Sequence, residues 1–161
     1  MKKLLSALMF LSAILMVSCE EEEATEPVQK VAFTFEKDGS KIDYSSNCYW
    51  FDHPDNGTPF YIAGWQSDEH NFKITVPKLE VNKWTQADDG QDAKLEFVNY
   101  GLIYISSNGD ESDYTIEITK YDSKTGRAEG TFSGKVSYFN IYSWEYVYTE
   151  ITNGVFVVDE D

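Results

Sequence analysis

The sequence predicts an all-β protein, an antiparallel β-sandwich of about eight to ten strands behind a cleaved signal peptide. Three observations predict it. Apolar and polar residues alternate with period two in short runs; Tyr114, Ile116 and Ile118 against Thr115, Glu117 and Thr119 are the cleanest. Turn sequences such as Asp38-Gly39, Asn108-Gly109 and residues 121–126 separate those runs at regular intervals. Beyond the first 18 residues, no segment keeps a helical apolar period over several turns. Tyrosine and phenylalanine are frequent, which suits strands because their area packs across neighbours.

The chain opens on Lys2 and Lys3, followed by an uncharged apolar stretch from Leu4 to Val17. That stretch is too short for a membrane span, which needs ~20 apolar residues. It fits the core of a secretory leader, and the small residue Ser18 stands where cleavage requires one. Residues 1–18 are therefore read as a leader and residues 19–30 as an acidic flexible tether. Glu20 to Glu23 repel one another, and Pro27 opposes a helix.

Ordered structure is expected over residues 31–158. Val31, Phe33 and Phe35 alternate with Ala32 and Thr34, and the turn at residues 37–40 sends the chain back. Residues 40–52 read as one long strand ending in Tyr49, Trp50 and Phe51. Residues 53–59, with Pro54, Asn56-Gly57 and Pro59, cannot continue it. Residues 60–65 form the next strand. Phe72, Ile74 and Val76 then alternate with Lys73 and Thr75, giving one dry and one wet face. Residues 80–91 are the least regular, and a short helical turn is expected there. Leu95 and Phe97 alternate with Glu96, residues 102–106 follow, and residues 107–110 turn. Residues 127–139 return from the 121–126 turn, placing Phe132 against the dry face of the preceding strand. The last strand, residues 144–158, follows a turn at 140–143. Asn153-Gly154 interrupts it as a bulge, because too few residues follow for another return.

Met16-Val17-Ser18-Cys19 resembles the lipobox of bacterial lipoproteins, with Met16 where leucine is commoner. The resemblance implies a diacylglycerol on the Cys19 thiol, cleavage before it, and acylation of the new amino terminus, palmitate being the typical chain. Each buried methylene of such chains contributes ~0.8 kcal/mol, so two or three anchor stably where one does not. The acidic run directly after Cys19 is similar to the export signal of Bacteroidota-type surface lipoproteins. It implies the outer membrane, facing the cell exterior; a plain solvated spacer would leave the periplasmic face. In the second half, Ile116-Glu117-Ile118-Thr119-Lys120-Tyr121-Asp122, Gly130-Thr131-Phe132 and Ile151-Thr152-Asn153-Gly154-Val155-Phe156 resemble a lipoprotein family carrying a domain of unknown function. Glu129 departs from the serine usual there. That resemblance implies a β-sandwich on a lipid anchor and supplies no catalytic residue.

Formal charge is −15, and −17 once Lys2 and Lys3 leave with the leader. No basic run follows the leader, so nucleic acid is not an expected partner. With Cys19 lipidated, Cys48 has no partner within the chain and is read as a small buried apolar residue.

No cofactor, metal or catalytic residue is assigned. Cys48, Asp52, His53 and His70 match no closed zinc spacing. Residues 108–113 and 88–92 are oxygen-rich turns without the full calcium-loop pattern. No Gly-x-Ser-x-Gly elbow exists, and abundant carboxylates make chance pairs certain. The suggestive feature is aromatic. Tyr138, Tyr142, Trp144, Tyr146 and Tyr148 share parity around one hairpin, interleaved with Phe139, Ile141 and Val147. Aromatic faces with polar edges suit sugar rings or peptide partners, and Trp50, Trp65 and Trp84 are candidates to extend such a surface. The expectation is a non-enzymatic binding or accessory lipoprotein, held to the membrane through acylated Cys19, with a glycan or protein ligand. The competing expectations are a structural envelope lipoprotein and, behind it, a hydrolase.

Overall fold

A computed structural model describes residues 30–52, 59–86, 93–106 and 109–160. The leader, Cys19, residues 20–29 of the tether, His53, and the acidic turn at 88–92 lie outside the described residues. Eleven strands and no helix occur among the described residues: β1 (Ala32–Lys37), β2 (Ser40–Asp43), β3 (Cys48–Asp52), β4 (Phe60–Ser67), β5 (His70–Val76), β6 (Asn82–Thr85), β7 (Lys94–Asn99), β8 (Leu102–Ile105), β9 (Asp113–Asp122), β10 (Arg127–Asn140) and β11 (Glu145–Glu160). The all-β class is as expected.

Two local expectations need correction. Residues 40–52 are two strands, not one. The Ser45 N–H donates to Asp43 Oδ1 at 2.9 Å and the Asn47 N–H to the Tyr44 carbonyl at 3.0 Å, which turns the chain between β2 and β3. The irregular stretch 80–91 carries β6, not a helical turn, over its described residues. Trp84 pairs with Ile116 across β9 and is only 6% exposed, so burying the indole in the sheet decides the conformation.

Hydrogen bonding joins all eleven strands into one mixed sheet, ordered β2-β1-β11-β3-β4-β5-β7-β8-β10-β9-β6. The antiparallel expectation fails at one contact: Asp159 and Glu160 of β11 run parallel to Tyr49 and Trp50 of β3. β10 and β11 also pair with each other, so the order closes into a circuit. β10 pairs with β8 at a single position, Ser137 with Ile105. At the other seam the Trp50 indole N–H donates to the Gly126 carbonyl.

The sheet thus doubles over and packs its inner face on itself. Phe33 and Phe35 of β1 meet Phe72 of β5 at ring-centroid distances of 5.9 and 4.8 Å. Phe132 of β10 lies 4.9 Å from Phe72. These rings are buried, and each contributes ~1.5–3 kcal/mol by leaving water. Offset and edge-on pairs add ~0.5–1.5 kcal/mol each. Gly130 makes room for another, Phe156: a Cβ there would run into the Phe156 ring and the Glu117 carbonyl.

The bulge at Asn153 is as expected, and its consequence is a change of parity. Before it, Ile151 and Thr149 are buried; after it, Phe156 and Val158 are. Odd residues therefore face inward first, and even residues afterwards. On β10 the even residues Phe132 and Val136 face inward on both sides of the irregularity. Asn153, at φ 51°, absorbs the extra residue in a left-handed conformation that asparagine tolerates.

Two outcomes are expected from this arrangement. Phe72→Ala lowers stability by ~3–5 kcal/mol in urea denaturation, because the cavity cannot collapse. Deleting Asn153 makes it impossible to keep Ile151 and Phe156 inside together. Loss of the cooperative melt, followed by near-ultraviolet circular dichroism, is the expected result.

Candidate functional site

β10 and β11 outrun the strands beside them. The last pairing of β10 with another strand is Ser137 to Ile105, and β11 leaves β1 at Ile151. Beyond those points the two strands continue only with each other, through Tyr138–Val147, Phe139–Tyr146 and Asn140–Glu145. The hairpin closes through residues 141–144. Asn140 organises this turn twice. Its side-chain Oδ1 accepts from the Tyr142 N–H at 2.9 Å, and its carbonyl accepts from the Trp144 N–H at 2.9 Å. Trp144 takes φ 60°, a left-handed backbone that a bulky side chain rarely adopts. Tyr142 is 92% exposed and Trp144 79%. Ile141, Phe139, Tyr146 and Val147 are also exposed.

The structure divides the aromatic set expected to share one face. Partners across this hairpin pair even with odd, so parity reverses on passing the turn. Tyr138 lies beside Val147 on the inner side and packs its ring 4.9 Å from Tyr104, against the core. Tyr146 and Tyr148 lie on the outer side with Phe139, while Tyr142 and Trp144 belong to the turn itself. Phe139 is the residue that the parity argument omits and the register adds. It meets Tyr146 at 5.3 Å and Trp144 at 6.1 Å, with interplanar angles of 63° and 80°. The rings stand edge to face, so they make a knob and not a flat platform.

The base of the knob is braced from the β8–β9 loop. A Cβ on Gly109 would lie 2.7 Å from the Tyr148 hydroxyl and 3.0 Å from the Tyr146 ring, so the loop rests on both. Lys135 sits 4.7 Å above the Tyr148 ring and is bridged to Glu111. That hydrogen bond to Glu111 is the main reason the Lys135 ammonium is held above its ordinary pKa. Beyond this brace, toward the bulge, Thr131, Ser133, Thr152 and Asn153 line an open depression of about 490 Å³. It is a shallow trough in which hydroxyl and amide groups alternate with apolar surface from Phe132 and Val155.

Other sequence candidates fall elsewhere. Trp50 and Trp84 are core residues, so neither extends the exposed cluster, and Trp65 is half-buried. His70 packs edge-on against Tyr100 at 4.7 Å. Among the described residues no three His, Cys, Asp or Glu side chains gather as metal ligands. Asp113, from the acidic turn, has its Oδ1 taken by the Lys135 N–H at 2.8 Å. Cys48 is a free thiol, half-buried against the core, donating weakly to the Ser45 carbonyl at 3.7 Å. No known protein family, curated protein or solved structure matches this chain.

Burial first, then the nearby Asp159 and Asp43 carboxylates, push the Cys48 thiol up to about 11. The thiolate is the reactive form, so at pH 8 roughly one thiol in a thousand is ionised. In a Cys19→Ser form, Cys48 is expected to react with a disulfide reagent at pH 8 at least ~10-fold slower when folded than in urea. Its folded-state rate rises with pH toward about 11. The native thiol keeps its proton between pH 9.0 and about 11, where the unfolded chain has lost it. Stability contributed by this group is therefore whole below pH 9.0 and is lost as pH climbs through that window.

Proposed function

We propose that this chain is a lipid-anchored lipoprotein of the bacterial outer membrane, displayed on the cell surface, that acts by binding and not by catalysis. Its contact element is the tip of the β10–β11 hairpin, and its ligand is a glycan or a partner protein. The lipobox-like residues 16–19 and the acidic run behind them support the anchor and the address.

One observation carries the binding reading: Trp144 sits in a left-handed backbone while leaving most of its ring in water. A non-glycine residue in that conformation costs ~1–2 kcal/mol. An indole that is 79% exposed returns little of this through burial. The fold alone gives no reason for tryptophan at this position, and strain of this kind points to function. Presentation agrees. The chain enters β1 at Ala32, opposite Val157, and the turn lies beyond Glu145 at the other end of β11. Twelve residues at ~3.3 Å each separate the two ends by ~40 Å of strand. An anchor at Cys19 thus enters the domain at the end remote from the knob.

Two measurements test this. Intact-mass analysis of protein from native membranes is expected to show residues 1–18 removed and acyl mass on Cys19; an unmodified thiol there removes the anchor. Trp144→Gly relieves the backbone strain, so Tm is expected to stay level or rise. The same variant is expected to lose at least ~10-fold in ligand retention, the loss typical of removing an aromatic anchor. Retention is read as the complex that wild type forms in blue native gels of gently solubilised membranes. Unchanged complexes would remove the tip from the function.

A further inference from the structure

We infer that the occupant of this knob is a partner protein, which receives Trp144 and Tyr142 in an apolar cleft with a basic rim. The inference rests on the binding role proposed above and names its ligand class. Three observations select a protein over a sugar. The first is ring geometry. Phe139 stands at 80° to Trp144 and at 63° to Tyr146, so the three rings present no common plane for a sugar to lie on. A socket that surrounds the cluster meets it better than a flat ligand does.

The second is that both faces of the projecting ribbon are apolar. Tyr146 and Phe139 are exposed on the outer side, Val147 on the inner side, and Ile141 and Tyr142 at the turn. A ligand resting on one face leaves the other in water; a cleft covers both. Residues 138–149 contain a single charged side chain, Glu145, in a chain whose charged content is 25%. Loss of charge with gain of Tyr, Trp and Phe is the composition of an interface centre, where a few aromatic anchors carry most of the affinity.

The third is charge outside the tip. The chain holds 28 acidic against 13 basic residues. At the base of the hairpin, Lys135 is already bridged to Glu111. An acidic chain that carries an apolar knob is complementary to an apolar cleft with a basic margin. Association is then fast at low salt and slows as salt screens it.

The test places the photo-crosslinking residue p-benzoylphenylalanine at position 142 in cells carrying the full lipidated chain. A second site at Thr131, in the trough, serves as control. The expected result is one discrete protein adduct from position 142 and none from 131. That adduct falls at least 10-fold in Trp144→Gly. The partner identified from it, once purified, is expected to bind wild type in solution, with affinity at least 10-fold weaker for Trp144→Gly and an association rate that drops with salt. Absence of the adduct, its persistence in Trp144→Gly, or failure of the purified pair to bind overturns the inference. Affinity gels containing neutral polysaccharide separate the two levels of the argument. Retardation that depends on Trp144 makes the occupant a glycan, so the binding role stands and the protein partner falls. With neither adduct nor retardation, both fall.

Discussion

The pairing of β10 with β11 is the constraint on which the rest of the structure depends. Each strand is long enough to serve two neighbours along its free edge. β10 carries β9 and then touches β8; β11 leaves the tip, carries β1 and then touches β3. These shared edges turn a row of strands into a closed circuit. A closed circuit leaves one inner face to be filled, and the phenylalanines of β1, β5, β7, β10 and β11 fill it. Shape here follows from edge sharing, and stability from the rings that edge sharing brings together.

The single extra residue at Asn153 sets what each end of β11 presents. A strand without a bulge keeps one parity inward along its whole length. In β11 the inward parity switches, so Phe156 and Val158 join the core while Tyr146 and Tyr148, of the same parity, stand outside. The tyrosines of the knob owe their outward position to an asparagine several residues away. The same irregularity borders the shallow trough beside it, which Asn153 helps to line. Core packing and surface chemistry are therefore coupled through one backbone feature.

The tip shows how strain and exposure are tolerated. A two-stranded ribbon alone is marginal in water. This one is held by the deep pairing below it, by the β8–β9 loop against Tyr146 and Tyr148, and by the bonds of Asn140 across the turn. With the ribbon secured from its base, the turn can carry a left-handed tryptophan and a nearly bare tyrosine. Neither residue is required by anything beneath it.

Much of this was legible in the residues themselves. Alternation at Tyr114, Ile116 and Ile118 marked β9 and its buried face, and Asn153-Gly154 marked the bulge, because both are local signals written in neighbouring side chains. Local signals also misled. The turn at Asp43 to Asn47 depends on a side-chain hydrogen bond, and β6 depends on a distant partner for Trp84. The aromatic hairpin was visible as a cluster, but parity along one strand does not pass unchanged around a turn. Its faces follow from register, which joins residues across space. Composition and period decided that this chain makes strands, where most of them lie, and that its last hairpin is rich in rings. Only the tertiary pairing decided that the sheet closes on itself, that Tyr138 goes inward, and that Trp144 projects, because each depends on which edges meet and in what phase.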